Sequence, residues 1–363
     1  MKLGIFCNFS YKHVGGSENV IKNISDRLVN DFDYEVNVYS FSVNAPFYEN
    51  KVRYFPCKKG DGLFAQIAQN DHIFIYSDSF WQLDTLLQNI DKIDCRASLA
   101  LVGAYHLQSH PESFRLLKEN IEKFNLITHS ETTPDYKWCI DNNLPVKVVP
   151  NGVDLSEFWE NRVNFREKYK IKEKYIILSV FSYFFGKGFE ILPKIAEKLS
   201  EHLDDFLILQ CSNTSQYPYD KPFFERTKKQ SRGLPIRFLR DIPREDIVSA
   251  FNCSDVFLSP SKKEVAPIVI LECRAAKLPY VSFAVGNVGE QGGIPLIVQQ
   301  KDNKGYAIVE KRDIDHFSAA ILQLLTCKDE RYKNIVIEKG QHFINNIDWD
   351  NIVLLYDREF RHE

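Results

Sequence analysis

The sequence predicts an α/β fold: two doubly wound parallel-sheet domains facing a cleft. Three observations predict it. Strand-like apolar runs alternate with amphipathic helical stretches along the chain. Many of these runs are apolar throughout rather than at every second residue, the pattern of strands covered on both faces. The alternation also halts once, at the polar and charged stretch 156–174, and then restarts.

In chain order, KLGIFCNF at 2–9 reads as a first strand, followed by the Gly15-Gly16 loop. A helix is expected over 17–32, with Ser17 as its N-cap. EVNVYSF, VRYFPC, HIFIYS, RASLALVG and FNLITHS follow as strands, and VKVVPNGVD at 146–154 runs extended into a turn. The second half opens with YIILSVFSYF and a helix over 189–203. FLILQCS and IRFLRDI are strands, REDIVSAFNCS is a helix, and VFLSPS is a strand. The helix IVILECRAAK, the strands PYVSFAVG and IPLIV, and a helix over 313–327 complete it. Residues 1–157 are assigned to an N-terminal acceptor-side domain and 158–340 to a C-terminal domain. Residues 341–363 are read as a C-terminal helix packing back on the first domain.

Composition narrows the function classes. The 363 residues are 44% hydrophobic and 26% charged, as in an ordinary globular protein of about two domains. Residues 1–157 hold 15 Lys and Arg against 20 Asp and Glu, and the remainder holds 31 against 29. Neither half is basic, so nucleic acid is not expected as a partner. Membrane contact is expected to be weak and peripheral at most, since no apolar run reaches the roughly 18 residues that span a bilayer. The eight cysteines show no C-x-x-C spacing and read as reduced core residues of a cytoplasmic protein. Oligomeric state is not legible.

Glu264 and Glu272 bracket the run EVAPIVILE, just after the strand VFLSPS. Pro267 suits a helix N-terminus, so a helix is expected from about Ala266, with Glu264 in the loop before it and Glu272 inside it. Carboxylates at the C-terminal mouth of a strand stand where open α/β sheets bind ligands. As acceptor-only groups they suit the hydroxyls of a sugar and a ribose. Gly186-Lys187-Gly188 follows the first strand of the second half and is expected to open a helix. Flexible backbone, helix-terminal amides and one lysine there suit a pyrophosphate. The P-loop pattern and the dinucleotide pattern G-x-G-x-x-G are both absent. Gly15-Gly16 also permits close backbone approach. His106 follows the strand-like LALVGA. With His110 it has the i, i+4 spacing of a metal pair, but Pro111 and the missing glutamate argue against H-E-x-x-H chemistry. Asp348 and Asp350, in DWD, read as a helix cap rather than a metal site.

The order of these parts resembles the retaining glycosyltransferases of family 4, which have the GT-B fold of two Rossmann-like domains. The parts are GGSE at Gly15–Glu18, VVPNGVDLSEF at Val148–Phe158, GKGFEILPKIAEKL at Gly186–Leu199 and SPSKKEVAPIVILECRAAKLPYVSF at Ser259–Phe283. VGNVGE at Val285–Glu290, NKGYAIV at Asn303–Val309 and the terminal IDWDNIVLLY complete the set. The resemblance covers nearly the whole chain, with EVAPIVILE matching the E-x7-E motif and PNGVD the interdomain signature.

It implies a hexosyltransferase that takes a UDP- or GDP-linked sugar to a glycan, lipid-linked or other sugar-containing acceptor. No metal or other cofactor is implied. Glu264, His106 and Lys187 would be catalytic. Gly15, Gly16, Ser182, Lys187, Arg240, Ile242, Glu264, Ala266, Pro267, Ile268 and Glu272 would line the donor site. Glu272 would hold the ribose, Lys187 the diphosphate, and backbone at Leu239–Ile242 the base. One departure stands out: the family's arginine beside the diphosphate is replaced by Ser182, with Arg240 as a candidate substitute. The alternatives are a non-catalytic GT-B homologue acting as a binding subunit, and a GT-B nucleotide-sugar epimerase.

Overall fold

Two sheets organise the chain, each with inner strands too apolar to face water. The structure, a computed structural model, describes residues 1–8, 15–77, 79–103, 105–159, 163–213, 220–328, 334, 336–337 and 344–361. Residues 1–152 with 349–363 form one compact unit, and residues 153–348 form another.

The first unit contains β1 (Lys2–Cys7), β2 (Glu35–Ser40), β3 (Phe47–Glu49), β4 (Val52–Pro56), β5 (His72–Tyr76), β6 (Arg96–Ala100), β7 (Phe124–Thr128) and β8 (Val146–Val148). Its helices are α1 (Gly16–Asp31), α2 (Asp61–Ile67), α3 (Leu83–Gln88), α4 (Tyr105–Ser109), α5 (Pro111–Glu119) and α6 (Pro134–Asp141). The sheet order is β3-β4-β2-β1-β5-β6-β7-β8, parallel except for β3. Two expectations need correction. The antiparallel β3 has no counterpart in the sequence reading. It joins β4 through Asn50 and Lys51, both at positive φ (48° and 66°), the geometry of a two-residue hairpin turn. Lysine stands where glycine normally signals such a turn, and stacking of Phe47 on Tyr54 at 4.5 Å helps hold the pair. Helix α1 is also capped by Gly15 rather than Ser17, whose hydroxyl hydrogen-bonds Tyr76.

The C-terminal helix Trp349–Arg361 completes this unit. It buries Trp349, Ile352, Val353, Tyr356 and Phe360, a helical stripe. Phe74 of β5 meets Tyr356 at 5.7 Å and Phe360 at 5.3 Å, ring centre to ring centre. Asp350 accepts from Arg27 at 2.7 Å, while Asp348, in the second unit, accepts from the Leu155 amide at 3.2 Å. The glycine of PNGVD has a packing cause: a Cβ on Gly152 would lie 2.5 Å from the Trp349 indole.

The second unit contains β9 (Tyr175–Val180), β10 (Phe206–Ser212), β11 (Ile236–Arg240), β12 (Val256–Ser259), β13 (Tyr280–Phe283) and β14 (Ile294–Leu296), all parallel. Helices α7 (Phe165–Lys168), α8 (Leu192–Ser200), α9 (Lys221–Gln230), α10 (Arg244–Cys253), α11 (Ile268–Ala275) and α12 (Lys311–Thr326) cover it. Every residue of β10 is buried, as a central strand requires. On one face, Ile195 and Leu199 of α8 share a core with Phe317, Ile321 and Leu324 of α12. A capping box between Glu310 and Asp313 starts α12. On the other face, Phe251 of α10 and Ile270 and Cys273 of α11 pack against Leu178, Leu209 and Phe257.

Candidate functional site

The order β11-β10-β9-β12-β13-β14 places the unit's first strand beside its fourth. The crossovers leave these two strands in opposite directions, so the loops after β9 and β12 diverge and open a crevice at their carboxyl ends. Both sequence motifs with ligand chemistry lie in those loops. GKG follows β9, and Glu264 follows β12.

The GKG turn differs from its expected form. Phe185–Lys187 and Phe189–Ile191 are successive 3-10 turns, and the α-helix starts only at Leu192. Gly188 is the cause: its φ of +69° breaks the helical run. A Cβ there would also lie 2.0 Å from the Pro260 carbonyl oxygen. That close approach, with the Lys262 amide donating to the Gly186 carbonyl at 2.8 Å, ties the two loops together. Lys262 itself is buried and ion-paired with Glu190.

Within the crevice, Lys187 Nζ donates to Glu264 Oε1 at 2.7 Å, and both side chains are largely covered. The Asn287 amide donates to the Val265 carbonyl at 2.9 Å and braces the loop that carries Glu264. Helix α11 begins at Ile268 with Pro267 as N-cap, slightly later than expected, because proline with ψ of 121° lies outside the helical well. Ala266 is half-buried just before that cap, and Ile268 is buried in the first turn, where the Ile270 amide donates to the Pro267 carbonyl at 3.2 Å. Glu272 is buried on α11.

Arg244, at the start of α10, grips Glu272. Its Nη1 donates to Glu272 Oε1 at 2.5 Å, and its Nη2 donates to Glu157 Oε2 at 2.6 Å. Burial alone lowers an arginine's pKa, but these two carboxylates raise that of Arg244 above its ordinary value. Arg244 was not among the sequence candidates. An Arg-Glu-Asp start to a helix reads as an ordinary charged first turn, and no spacing rule links 244 to 157 and 272.

Ser182 is buried just past β9, its carbonyl accepting from the Phe184 amide at 2.9 Å. Arg240 ends β11, the sheet edge two strands, roughly 10 Å, from β9. Its exposed guanidinium lies over the Phe224 ring at 5.6 Å. Ile242 is half-buried and packs on the α10 side of the sheet.

Gly15, Gly16 and His106 belong to the first unit. Gly15 is buried and extended, and its carbonyl accepts from Asn19 at 3.0 Å to start α1, while Gly16 is exposed. His106 sits in the short helix α4. Its Nε2 contacts Asp84 Oδ1 at 2.6 Å and its ring stacks on His110 at 4.0 Å. Burial raises the Asp84 pKa, but the Ser113 hydroxyl and His106 outweigh it and hold that carboxyl below its ordinary value. Glu18, two residues past Gly16, is a second group the sequence reading passed over. Burial pushes its carboxyl up to about 7, partly offset by a backbone hydrogen bond.

Each of the eight cysteines is a thiol rather than half of a disulfide. Burial pushes the Cys57 and Cys139 thiols up to about 12, which suits packing rather than nucleophilic chemistry. Among the described residues, no three His, Cys, Asp or Glu side chains are grouped to hold a metal ion. No described helix is long and apolar enough to cross a membrane.

Comparison with known proteins bears on this arrangement. Residues 161–346 match the model of a family described as glycosyl transferases group 1. D-inositol 3-phosphate glycosyltransferase of Corynebacterium kroppenstedtii is 23% identical over 79% of this chain, which spans 66% of that relative's length. Sucrose-phosphate synthase from Thermosynechococcus elongatus superposes with a TM-score of 0.76 at 13% identity, over 99% of this chain and 98% of its own. An Anabaena protein solved with UDP-glucose superposes with a TM-score of 0.73 at 15% identity, over all of both chains. These likenesses show the GT-B fold.

Proposed function

We propose that this chain, which belongs to the glycosyl transferases group 1 family, moves a hexose-type sugar from a nucleoside diphosphate sugar to a sugar-containing acceptor. In this reading the anomeric configuration is retained and no metal is used. One observation carries it: Lys187 and Glu264 meet at 2.7 Å in the crevice between β9 and β12, with Glu272 on the helix that follows. A lysine beside acceptor carboxylates suits a ligand that carries an anionic group and hydroxyls.

Each residue then has one task. Lys187 turns from Glu264 to the diphosphate and neutralises the charge that builds on the leaving oxygen. Glu264, released, accepts from the sugar hydroxyls and fixes the anomeric carbon. Glu272, its Oε1 held by Arg244, accepts from the ribose hydroxyls. The α11 amides and the GKG backbone face the phosphates. The acceptor oxygen bonds to the anomeric carbon as the bond from that carbon to the phosphate oxygen breaks. The leaving phosphate takes the hydroxyl proton, so attack and departure share one face. The first unit is assigned the acceptor, with Gly15, Gly16 and His106 at its edge.

Thermal unfolding with UDP and GDP, each with and without EDTA, tests the donor half. A nucleoside diphosphate at about 100 times its dissociation constant adds roughly 2.7 kcal/mol of stability. The shift is expected to be the same in EDTA, and loss of the shift in EDTA would overturn metal independence. Retention is read from the anomeric proton coupling of the transfer product.

A further inference from the structure

Two of the exposed large apolar side chains of the first unit stand together. Phe41 is 62% exposed and Trp81 37% exposed, their ring centres are 6.1 Å apart, and their planes are tilted by 57°. Lys59 Nζ lies 5.0 Å from the centre of the Trp81 indole. The topology explains the meeting. Phe41 follows β2, Lys59 follows β4 and Trp81 follows β5, while Asn8 follows β1. Those strands are consecutive in the sheet, β4-β2-β1-β5, and all four are parallel. Their carboxyl ends therefore form one edge, the edge at which open α/β sheets bind ligands.

The placement is braced. Asn8 Nδ2 donates to the Ser79 carbonyl at 2.8 Å, and the Trp81 amide donates to Asn8 Oδ1 at 3.2 Å. The neighbouring Phe80 is buried against Phe6 at 6.2 Å. The exposed rings are thus carried by backbone that the core holds in place.

We propose that Phe41, Trp81 and Lys59 form the acceptor ledge, on which the two rings take the apolar face of a pyranose and Lys59 takes an anionic substituent on that sugar. This rests on the glycosyltransferase reading and names the acceptor class for it: an acidic saccharide. Aromatic faces carry negative charge density and attract the polarised C–H bonds of a sugar ring, while the hydroxyls at its rim stay in water. The rings meet at a tilt rather than face to face, and Phe41 keeps 62% and Trp81 37% of its surface exposed. A membrane is the weaker occupant. Two aromatic rings with Lys58 and Lys59 fall short of the basic cluster that holds a protein on anionic lipid, and this half of the chain is acidic.

The test uses the full chain on an array of neutral saccharides and their phosphorylated or uronic counterparts, beside co-sedimentation with phosphatidylglycerol vesicles. Retention on at least one anionic saccharide is expected, at least tenfold above its neutral counterpart. Phe41→Ala and Trp81→Ala should each lower retention at least tenfold, with Trp81→Phe restoring most of it. Lys59→Ala should bring the anionic saccharide down to the neutral level. All variants should keep the thermal shift given by UDP or GDP, which shows them folded and donor-competent. Absence of retention by the parent chain, unchanged retention in the ring variants, or Trp81-dependent pelleting with vesicles in place of saccharide retention overturns the ledge. Failure of the parent chain to respond to any nucleoside diphosphate overturns the donor reading instead, and the array still judges the ledge.

Discussion

Arg244 joins two carboxylates 115 residues apart in sequence, donating to Glu272 at 2.5 Å and to Glu157 at 2.6 Å. Glu272 is buried, so the arginine is what makes its charge tolerable. Arg244→Met should therefore destabilise the protein by on the order of 3 kcal/mol in urea unfolding, because it strands Glu272. Arg244→Met combined with Glu272→Gln should recover most of the loss. If the double variant is as unstable as the single, the damage is to packing and the bridge is incidental.

Lys187 Nζ donates to Glu264 Oε1 at 2.7 Å. Lys187→Ala should weaken nucleoside diphosphate binding by about 1.5 to 3 kcal/mol, the range for a charge-assisted contact, with little effect on nucleoside binding. Calorimetry with both ligands reads the difference. Equal weakening would make Lys187 a surface lysine.

Glu264 and Glu272 should separate in function. Glu272→Gln is expected to weaken free nucleotide, since ribose is present with or without the sugar. Glu264→Gln should leave free nucleotide affinity nearly unchanged and lower turnover by on the order of 100-fold, the scale of losing one group aimed at developing charge. Product formation under saturating donor decides it, and full activity in Glu264→Gln would remove that residue from the mechanism.

Gly188→Ala combines a φ of +69° with a Cβ 2.0 Å from the Pro260 carbonyl oxygen. The variant should lose more than about 1 kcal/mol, beyond the usual cost of a positive φ, because the backbone must shift as well. Gly233→Ala has a similar φ of +81° but open space around it, and serves as the control. Equal losses in the two variants would mean that the contact between the loops after β9 and β12 is slack.

Glu18 makes stability depend on pH. Its carboxyl is raised from 4.5 to about 7 in the folded chain, so the folded state holds its proton more tightly than the unfolded state. The contribution is fully present below about pH 4.5 and is lost as pH rises through 7. Glu18→Gln should flatten this part of the melting-temperature profile between pH 4.5 and 7. An unaltered slope would place the titration elsewhere.

Periodicity and local punctuation were enough to find most of the architecture. Runs such as FLILQCS read as strands covered on both faces, and their alternation with helical stretches makes parallel sheets the consistent outcome. The same local signals put GKG and EVAPIVILE after strands, and their chemistry pointed to a phosphate and to hydroxyls. Sequence alone did not give β3, because a lysine occupies the second turn position where glycine would have marked the hairpin. Nor did it give the 3-10 geometry of GKG, which depends on how closely Pro260 approaches Gly188. The strand order, and with it the crevice where Lys187 meets Glu264, belongs to the tertiary structure, since a crossover can be read as a helix but its landing place cannot. Arg244 is the clearest case. Its partners lie 87 residues before it and 28 after it, and only the packing of α10 beside α11 and the turn at Leu155–Phe158 brings the three charges into one bridge.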